Sequence, residues 1–570
     1  MKLSGKIIKS TVRKITVSVS LLLCATLAQA ETSGKYIISA ANPLAANAGY
    51  EMLEKGGSAV DAAIATQMVL TLVEPQSSGI GGGAFMLHYN NDKKLITTFN
   101  GREKAPAAVS PEHFLKQDGN PKKFYEAVVG GGSVGVPGII AMMEMAHAKY
   151  GKLTWKDLFA PAIRLSTDGF AISPRLHFLL NRDKYLKTKE PARSYFYDAN
   201  GDAKAVGTVL KNPELATTLQ AISEGGSKAF YTGTIAAQIV AAVTADSDNP
   251  GVMTLDDLKA YTAQEKAPVC ATYHMYNICG MGMPTSGGVT SLQILKLLEP
   301  LGLNKQEPGS IDAINLISEA SALAFADRGL YLGDDDFVDV PVEGLLSASY
   351  LDRRRALIGK GKTNLPFEAG DPNKKAELLS PDDAIELPST SHFSIVDGEG
   401  NAISMTTSVE NVFGSRLMAG GFILNNQLTD FSFRPEKDGK LINNRIEPGK
   451  RPRSSMSPTV VLKENGNLHL VIGSPGGSRI IGYVTKTVIG VLDWGLSVQE
   501  AIDLPHHINR GGTLDLEQGT PITKHQAALE GMGYKVKART LNSGLHGILV
   551  TNEGYEGGAD RRREGVVLQN

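Results

Sequence analysis

Several classes of protein are excluded by what this chain lacks. Three cysteines in 570 residues are too few for a disulfide-stapled scaffold or for a zinc cluster built from cysteine and histidine. The 58 basic and 59 acidic residues nearly cancel, and no basic patch indicates a nucleic-acid partner. Beyond residue 30 there is no run of roughly 18 uncharged apolar residues, the length that a membrane helix needs. What remains is ordinary globular composition with ample material for a large core.

Residues 1–30 are typical of a secretory signal peptide. They combine a basic stretch over Lys2–Lys14, an apolar stretch over Ile15–Leu27 and the A-x-A cleavage pattern Ala28-Gln29-Ala30. Cys24 follows Leu23, where a lipoprotein signal needs a small residue, so simple cleavage after Ala30 is favoured. We therefore predict an exported protein, periplasmic or secreted, with no membrane anchor after signal cleavage.

The two remaining cysteines can pair in an oxidising compartment. Val269–Tyr273 and Tyr276–Cys279 have the pattern of two strands around His274-Met275. A two-residue turn places Cys270 opposite Cys279, at the Cα separation of about 4.5 Å that a disulfide accepts. Because His-Met is poor turn chemistry, two buried free thiols are the alternative.

The first of two glycine-rich stretches, Gln76–Gly83, follows a helix predicted over 58–72, where Ser58 and Asp61 resemble a capping box. It has no Lys-Ser/Thr pair of a phosphate loop, so nucleotide binding is not expected. Its plain interpretation is a tight turn into a strand over 84–89. A second, strongly amphipathic helix is predicted over 313–328.

The second glycine-rich stretch, Gly473–Arg479, joins a strand over 468–472 to a helix over 480–492. Free backbone N–H groups at a helix N-terminus suit a phosphate or the oxyanion of acyl transfer, with a plain strand-to-helix turn as the alternative. The pair His506-His507 lacks nearby cysteine or carboxylate ligands, so we expect no metal, and no sequence feature calls for a cofactor.

Thr390 stands where a polar linker, residues 359–389, runs into a β-type alternation. We expect this linker to be long and exposed. Ser391–Asp397 and Asn401–Ser408 form a hairpin pattern whose register places Thr390 opposite Ser408, with Glu410 two residues further on the same face. A cut before Thr390 would give one residue a hydroxyl nucleophile and an α-amine of pKa about 7.7–8.0 that can act as its base.

Six motifs in order resemble the gamma-glutamyltranspeptidase family, a member of the N-terminal nucleophile hydrolases. They span essentially the whole mature chain, from about residue 36 to about residue 563. The motifs are Glu74–Gly83, Gly101–Pro106, Thr390–Phe393, Leu424–Phe431, Arg451–Pro458 and Gly473–Arg479.

The resemblance implies an α+β fold, the four-layer αββα sandwich, and a precursor that cuts itself. It implies a large subunit over 31–389 and a small subunit over 390–570, which remain one intertwined unit. Thr390 would attack the γ-carbonyl of a γ-glutamyl compound such as glutathione, and the acyl group would pass to water or to an amino acid or peptide. The resemblance implies that Ser408 supports the nucleophile and that Gly476 and Gly477 supply the oxyanion N–H groups.

The resemblance also implies a pocket for a zwitterion. Arg102 would bind the α-carboxylate of the glutamyl group, with Ser454 and Ser455 adding hydroxyl donors. Asp430 would hold the α-ammonium, with Gln427, Asn425 and Glu410 nearby. Taken singly, these residues have structural interpretations, such as turn residues or a surface charge.

The chain departs from the family pattern at four places. Ser391 and Ser408 stand where many relatives have threonine, and Glu410 stands where many have asparagine. The segment 432–450, where some members form a lid, has neither a strong turn pattern nor a tyrosine, so the presence of a full lid is left open. The balance between hydrolysis and transpeptidation is open as well, since a more open site admits water more readily.

Two other functions compete with this interpretation. A glutaryl acylase of the cephalosporin type would use the same fold and the same Thr390, but its substrate has no amine for Asp430 and Glu410. A non-catalytic exported peptide-binding protein would need the pocket but no cut before Thr390.

Overall fold

The structure, a computed structural model of the uncut chain, describes residues 34–359, 361–372, 376–382 and 384–570. The signal peptide predicted for residues 1–30 lies outside these described residues. Within them, no helix combines the length and the apolar character needed to cross a lipid bilayer.

Two antiparallel sheets form the centre of the molecule. The first has seven strands in the spatial order Val566–Gln569, Ile37–Ala40, Ser391–Val396, Ala402–Ser408, Gly83–Asn90, Leu95–Gly101 and Gln264–Lys266. The second has six, in the order Tyr555–Ala559, His546–Val550, Leu468–Gly473, Thr459–Lys463, Tyr276–Gly280 and Val269–Tyr273. The sheets are stacked, and hydroxyl groups connect them: Ser394 Oγ donates to the carbonyl of His546 at 3.0 Å, and Ser404 Oγ to that of Ile472 at 2.9 Å.

Helices cover the outer faces of both sheets, which gives the four layers αββα. The helices that share a hydrophobic core with the first sheet are Pro43–Glu54, Ala59–Val73, Ile139–Tyr150, Ala160–Asp168, Pro213–Tyr231 and Gly233–Thr244. Those in the core of the second sheet are Gly287–Leu298, Ile311–Tyr331, Ile480–Leu492 and Val498–Asp503.

Shorter elements lie around this sandwich. One is a three-stranded sheet of His507–Asn509, Leu514–Glu517 and Val536–Arg539. The shorter helices are Phe124–Val128, Pro174–Arg182, Ala192–Phe196, Leu255–Lys259, Val342–Leu346, Ala348–Arg355 and Gln526–Gly531. The strand pairs are Phe170–Ala171 with Val209–Leu210, Met418–Ala419 with Phe422–Ile423, and Glu436–Lys437 with Lys440–Leu441.

The helix Ala59–Val73 begins and ends as its sequence predicts. Ser58 Oγ accepts from the N–H of Asp61 at 3.1 Å, and the carboxylate of Asp61 accepts from the N–H of Ser58 at 2.8 Å, which confirms the capping box. Every residue of this helix is buried, since it packs between the first sheet and further helices.

The hairpin that carries Thr390 has the predicted register. Val396 pairs with Ala402 and Ser391 with Thr407, so Thr390 lies opposite Ser408. Every residue of both strands is buried, because helices cover one face and the second sheet covers the other. On the face toward the second sheet, the hydroxyl groups of Ser394 and Ser404 form hydrogen bonds to that sheet rather than to water.

The segment 359–389, predicted to be a long exposed linker, is exposed only in part: Leu378 is 70% and Ile385 50% exposed, whereas polar contacts hold other residues. The carboxylate of Glu319 accepts from Thr363 Oγ1 at 2.6 Å and from the N–H of Asn364 at 2.9 Å. Ser389 is 2% exposed. Polar contacts to distant helices hold this segment, and such contacts leave no apolar periodicity in the sequence.

The segment 432–450 also differs from its prediction. It contains the hairpin Glu436–Lys437 with Lys440–Leu441, turning at Asp438-Gly439, where both residues have positive φ (53° and 73°). Asp-Gly is a strong hairpin signal that the sequence analysis missed. The strands of this hairpin are exposed.

Cys270 and Cys279 pair across neighbouring strands and form a disulfide. His274 adopts a φ of 51°, as a tight two-residue turn requires, so the predicted register is confirmed despite the unfavourable turn residues.

We predict that the unreduced, unfolded protein has no alkylatable thiol at Cys270 or Cys279. The bridge closes a loop with a sequence separation of 9, so the loop-closure estimate gives it at most about 3 kcal/mol. A Cys270→Ser, Cys279→Ser variant should therefore remain folded and lose only a few degrees in Tm. Mass spectrometry after alkylation provides the test, and two modified thiols in the unreduced protein would contradict the bridge.

Candidate active site

Thr390 lies at the head of a central strand, with both of its backbone neighbours fixed. Its Oγ1 is 2.9 Å from Ser408 Oγ, which also accepts from the N–H of Glu410 at 2.9 Å. The carbonyl of Thr390 accepts from the guanidinium of Arg563 at 2.8 Å. The carbonyl of Ser389, on the other side, accepts from the N–H of Gly476 at 3.2 Å. The hydroxyl that sequence analysis proposed as a nucleophile is thus hydrogen-bonded and oriented.

The backbone of Thr390 is strained in the uncut chain. Its φ is 85°, in a region that β-branched residues avoid because Cβ crowds the backbone. Such a conformation costs on the order of 1–3 kcal/mol and persists only when the surroundings enforce it. The torsion φ of Thr390 includes the carbonyl carbon of Ser389, so a cut of this peptide bond removes the constraint and releases the strain.

Glycine is required at two positions where backbone segments pack closely around Thr390. A Cβ on Gly477, whose φ is 59°, would lie 2.7 Å from the carbonyl oxygen of Leu387. A Cβ on Gly82, in the first glycine-rich stretch, would lie 2.1 Å from the carbonyl oxygen of Ser408. The first stretch therefore supports the strand opposite the nucleophile, and the second provides the N–H that meets the Ser389 carbonyl.

Arg102 and Asp430, predicted to bind opposite ends of a zwitterion, form an ion pair with each other at 2.5 Å. Arg102 also donates through Nε to the carbonyl of Pro452 and through Nη2 to that of Arg453, both at 3.1 Å. Gln427 Nε2 donates to Asp430 at 2.7 Å. Arg102 Nη1 and Gln427 Oε1 are buried and have no hydrogen-bond partner among the described residues, while Nη1 lies 3.6 Å from the carboxylate of Glu103.

Two carboxyl groups face each other beside Thr390. Burial, reinforced by the charge of Asp430, raises the pKa of Glu410 well above its usual range, although Asn426 donates a hydrogen bond to its carboxylate. Burial likewise raises the pKa of Asp430, against the effect of Arg102. Two buried acids with raised pKa values favour a cationic ligand, which would stabilise their ionised forms.

Ser454 and Ser455 both line the cavity, but they make different contacts. Ser454 Oγ accepts from the N–H of Met456 at 3.1 Å. Ser455 Oγ lies 2.7 Å from Arg328 Nη2 and donates to the carboxylate of Glu386. The Ser454 carbonyl accepts from the N–H of Ser286, which holds the pair in place.

One cavity contains most of the predicted site residues. Its lining includes Arg102, Thr390, Ser408, Glu410, Gln427, Asp430, Ser454, Ser455 and Gly477. Gly476 borders it through the hydrogen bond to Ser389.

Asn425 lies outside this cavity. Its amide donates to the carbonyls of Gly81 and Gly135 at 2.8 Å and accepts from the N–H groups of Gly135 and Gln427. Its side chain therefore joins three loops, and it has no remaining donor for a substrate. Its neighbour Asn426 donates a hydrogen bond to the carboxylate of Glu410.

Sequence reasoning missed a charged residue that lines the cavity and the two arginines that pair with it. Glu386, near the end of the linker, lines the cavity and forms ion pairs with Arg328 and Arg453. Arg453 directly precedes the two serines, which was an available signal. Arg328 lies on the helix Ile311–Tyr331, and nothing in the sequence indicates that this helix reaches Glu386.

Two stacked sheets between helical layers, with a threonine hydroxyl and a facing backbone N–H at the head of a central strand, define the N-terminal nucleophile hydrolase class. Comparison with known proteins specifies the family within that class. The family model described as gamma-glutamyltranspeptidase matches residues 45–569 of the sequence. The chain belongs to the gamma-glutamyltranspeptidase family.

Individual relatives agree with this assignment. The chain is 35% identical over 544 residues to a glutathione hydrolase proenzyme of Bacillus subtilis (strain 168), covering 93% of this chain and 91% of the relative. It is 36% identical over 539 residues to the glutathione hydrolase proenzyme of Escherichia coli (strain K12), covering 92% and 90%. Among solved structures, it is similar to a cephalosporin acylase from Bacillus halodurans, with a TM-score of 0.82 and 28% identity, covering 94% of this chain and 95% of the other.

We predict that Thr390→Ala leaves a single uncut chain without activity, because one hydroxyl serves both the cut and catalysis. Thr407→Ala is the matched control, since its buried hydroxyl lies on the same hairpin and has no hydrogen-bond partner among the described residues. The control should be cut, giving two bands on a denaturing gel and a fragment whose N-terminal sequence begins at Thr390. A fragment that begins elsewhere, or a cut Thr390→Ala chain, would show that another group is the nucleophile.

Proposed function

We propose that the chain is a self-processing γ-glutamyl transferase and hydrolase that acts on glutathione and related compounds. The observation that carries this proposal is the placement of the Thr390 hydroxyl in one cavity with the Arg102–Asp430 ion pair. A nucleophile beside paired opposite charges suits an acyl donor whose other end is an amino acid. The names of the relatives, glutathione hydrolase proenzymes, support the same substrate class.

Maturation begins at the strained bond. The Thr390 hydroxyl attacks the Ser389 carbonyl, the N–H of Gly476 stabilises the developing oxyanion, and the C–N bond breaks as the acyl group moves to oxygen. Water then hydrolyses the ester, leaving a carboxylate on Ser389 and a free α-amine on Thr390. The products are a large subunit over 31–389 and a small subunit over 390–570.

Catalysis repeats this chemistry on a substrate. The α-amine of Thr390 takes the proton of its own hydroxyl, which attacks the γ-carbonyl of the donor. N–H groups of Gly476 and Gly477 stabilise the oxyanion, and the amine product leaves with a proton. Water or the amine of an amino acid or peptide then attacks the acyl-enzyme and frees the Thr390 hydroxyl, for which Ser408 is the hydrogen-bond partner.

The polar residues of the cavity divide the recognition of the glutamyl group. Arg102 and the hydroxyl groups of Ser454 and Ser455 bind its α-carboxylate. Asp430 and Glu410 bind its α-ammonium, with Gln427 as an amide oxygen acceptor. We propose that this reaction takes place in the periplasm, after removal of residues 1–30.

Glutaryl acylase activity is the second candidate, and the similarity to a cephalosporin acylase favours it. A glutaryl group has the carboxylate of a glutamyl group but no amine. The two buried acids, Asp430 and Glu410, have no partner on such a substrate, which favours the γ-glutamyl donor. A peptide-binding protein without catalysis would leave the strained bond before Thr390 intact.

We predict that the mature protein turns over γ-glutamyl-p-nitroanilide at a higher kcat/KM than glutaryl-p-nitroanilide, and that Asp430→Asn reduces this preference. Loss of a charge-assisted contact of about 1.5–3 kcal/mol corresponds to roughly a 10- to 150-fold lower kcat/KM for the γ-glutamyl donor. Asp327→Asn is the matched control, because Asp327 is a buried carboxylate paired with Arg354. A wild-type protein that prefers the glutaryl donor would instead support the acylase.

The raised pKa of Glu410 predicts a pH dependence that only amine-bearing donors show. Burial and Asp430 raise this pKa, while Arg416 and Asn426 oppose the rise. The ionised form binds an ammonium group, so the KM of γ-glutamyl-p-nitroanilide should fall as pH rises through the raised pKa. Glu410→Gln should flatten this fall, and glutaryl-p-nitroanilide should lack it. An identical pH profile of KM for both donors would contradict the assignment.

A further inference from the structure

The end of the linker fills the candidate cavity in the uncut chain. Glu386 and Leu387 line it together with Thr390, and the free volume is about 20 Å³. That volume holds about one water molecule. A γ-glutamyl group does not fit beside these residues, so the segment that ends at Ser389 has to leave the cavity before a donor can bind.

A carboxylate already occupies this cavity, and the body of the protein holds it. Glu386, nearly buried, forms an ion pair with Arg328, lies 3.7 Å from Arg453 Nη2 and accepts a hydrogen bond from Ser455 Oγ. Burial works to raise the pKa of Glu386, yet the two arginines bring it to about 2. The carboxylate is therefore ionised and bound, as a ligand's would be.

The two arginines are fixed without help from Glu386. Arg328 Nε donates to Ser286 Oγ at 2.8 Å, and Arg453 Nη1 donates to the carbonyl of Arg328 at 3.3 Å. Arg453 Nε is buried and has no hydrogen-bond partner among the described residues. The positions of the Arg328 and Arg453 guanidinium groups are thus set before the linker leaves.

Departure of the linker removes the carboxylates that pair with Arg328 and Arg453. Among the described residues, Glu386 is the carboxylate that pairs with Arg328, and Asp382, at 2.6 Å from Arg453, belongs to the same linker. A buried guanidinium that loses its carboxylate partner is left as an uncompensated charge, which is unfavourable. A ligand that brings a carboxylate to the same position restores the pairing.

We propose that Arg328, Arg453 and Ser455 form a carboxylate-binding subsite that Glu386 occupies until the cut and that the donor's α-carboxylate occupies afterwards. The inference rests on the proposed function and makes Arg328 and Arg453 determinants of donor specificity. Arg102 commits Nε and Nη2 to backbone carbonyls and Asp430, and its Nη1 lies 3.6 Å from the buried carboxylate of Glu103. The two additional guanidinium groups supply the multiple donors that carboxylate recognition uses.

Two donors that differ by one carboxylate test the subsite. γ-Glutamyl-p-nitroanilide carries the α-carboxylate, and 4-aminobutyryl-p-nitroanilide lacks only that group. Arg453→Gln and Arg328→Gln, assayed as mature proteins, should each raise the KM of the first donor by about tenfold or more and leave that of the second unchanged. Arg354→Gln, which removes a buried arginine paired with Asp327, is the matched control and should retain the wild-type preference.

The outcomes separate this inference from the proposed function. Equal losses on both donors in the arginine variants would overturn the subsite while leaving the γ-glutamyl activity of the wild type intact. A wild-type protein that cleaves neither donor would instead overturn the proposed function.

A second measurement needs no arginine variant. Phenylglyoxal labelling with peptide mapping should modify Arg328 and Arg453 in the mature protein, and glutarate should protect both. The uncut Thr390→Ala chain, in which Glu386 still covers them, should show little labelling at either. Equal labelling of the cut and uncut chains, or labelling that glutarate does not reduce, would overturn the proposal.

Discussion

The backbone at Thr390 is the constraint on which the site depends. A β-branched residue keeps a positive φ only because hydrogen bonds hold the carbonyl groups on both of its sides, one from Gly476 and one from Arg563. Both contacts come from residues far along the chain from Thr390, so the strain develops only when these segments pack against the hairpin. In the proposed reaction the same N–H would face the oxyanion, so that one loop would serve both the cut and catalysis.

Buried charge is the second organising feature. Arg102 with Asp430, Arg328 with Glu386, and Arg453 with Asp382 form adjacent ion pairs near one cavity. In two of these pairs the carboxylate belongs to the linker, while in the first it belongs to the body of the protein. If the linker leaves after the proposed cut, one part of the cavity loses its negative charge while the other part stays paired, which would suit a substrate with both signs of charge.

The sequence predicts the parts of this site that follow from local pattern. The hairpin register, the capping box at Ser58 and the pairing of Cys270 with Cys279 are read from residues close together in the chain, and the structure confirms them. The resemblance pointed to Thr390 and to most of the residues that line the cavity. It did not indicate that Asn425 uses its whole amide on the backbone, nor that Arg328 pairs with Glu386 from a helix about 60 residues earlier, a contact set by tertiary packing. The contacts that hold parts of the linker were not predicted, because polar contacts, unlike apolar ones, leave no periodic signal.

The strand order has a consequence for the processed protein. In the first sheet, Ile37–Ala40 lies between Val566–Gln569 and Ser391–Val396, so a strand from before the cut is hydrogen-bonded on both edges to strands from after it. In the second sheet, Thr459–Lys463, which follows the cut, pairs with Tyr276–Gly280, which precedes it. Separating the two pieces would break both sheets and expose both cores, so dilution does not drive them apart. A cut before Thr390 would change the chemistry and the covalent connectivity of this chain but not its packing. The two pieces would separate on a denaturing gel, yet in solution they should unfold together in one transition.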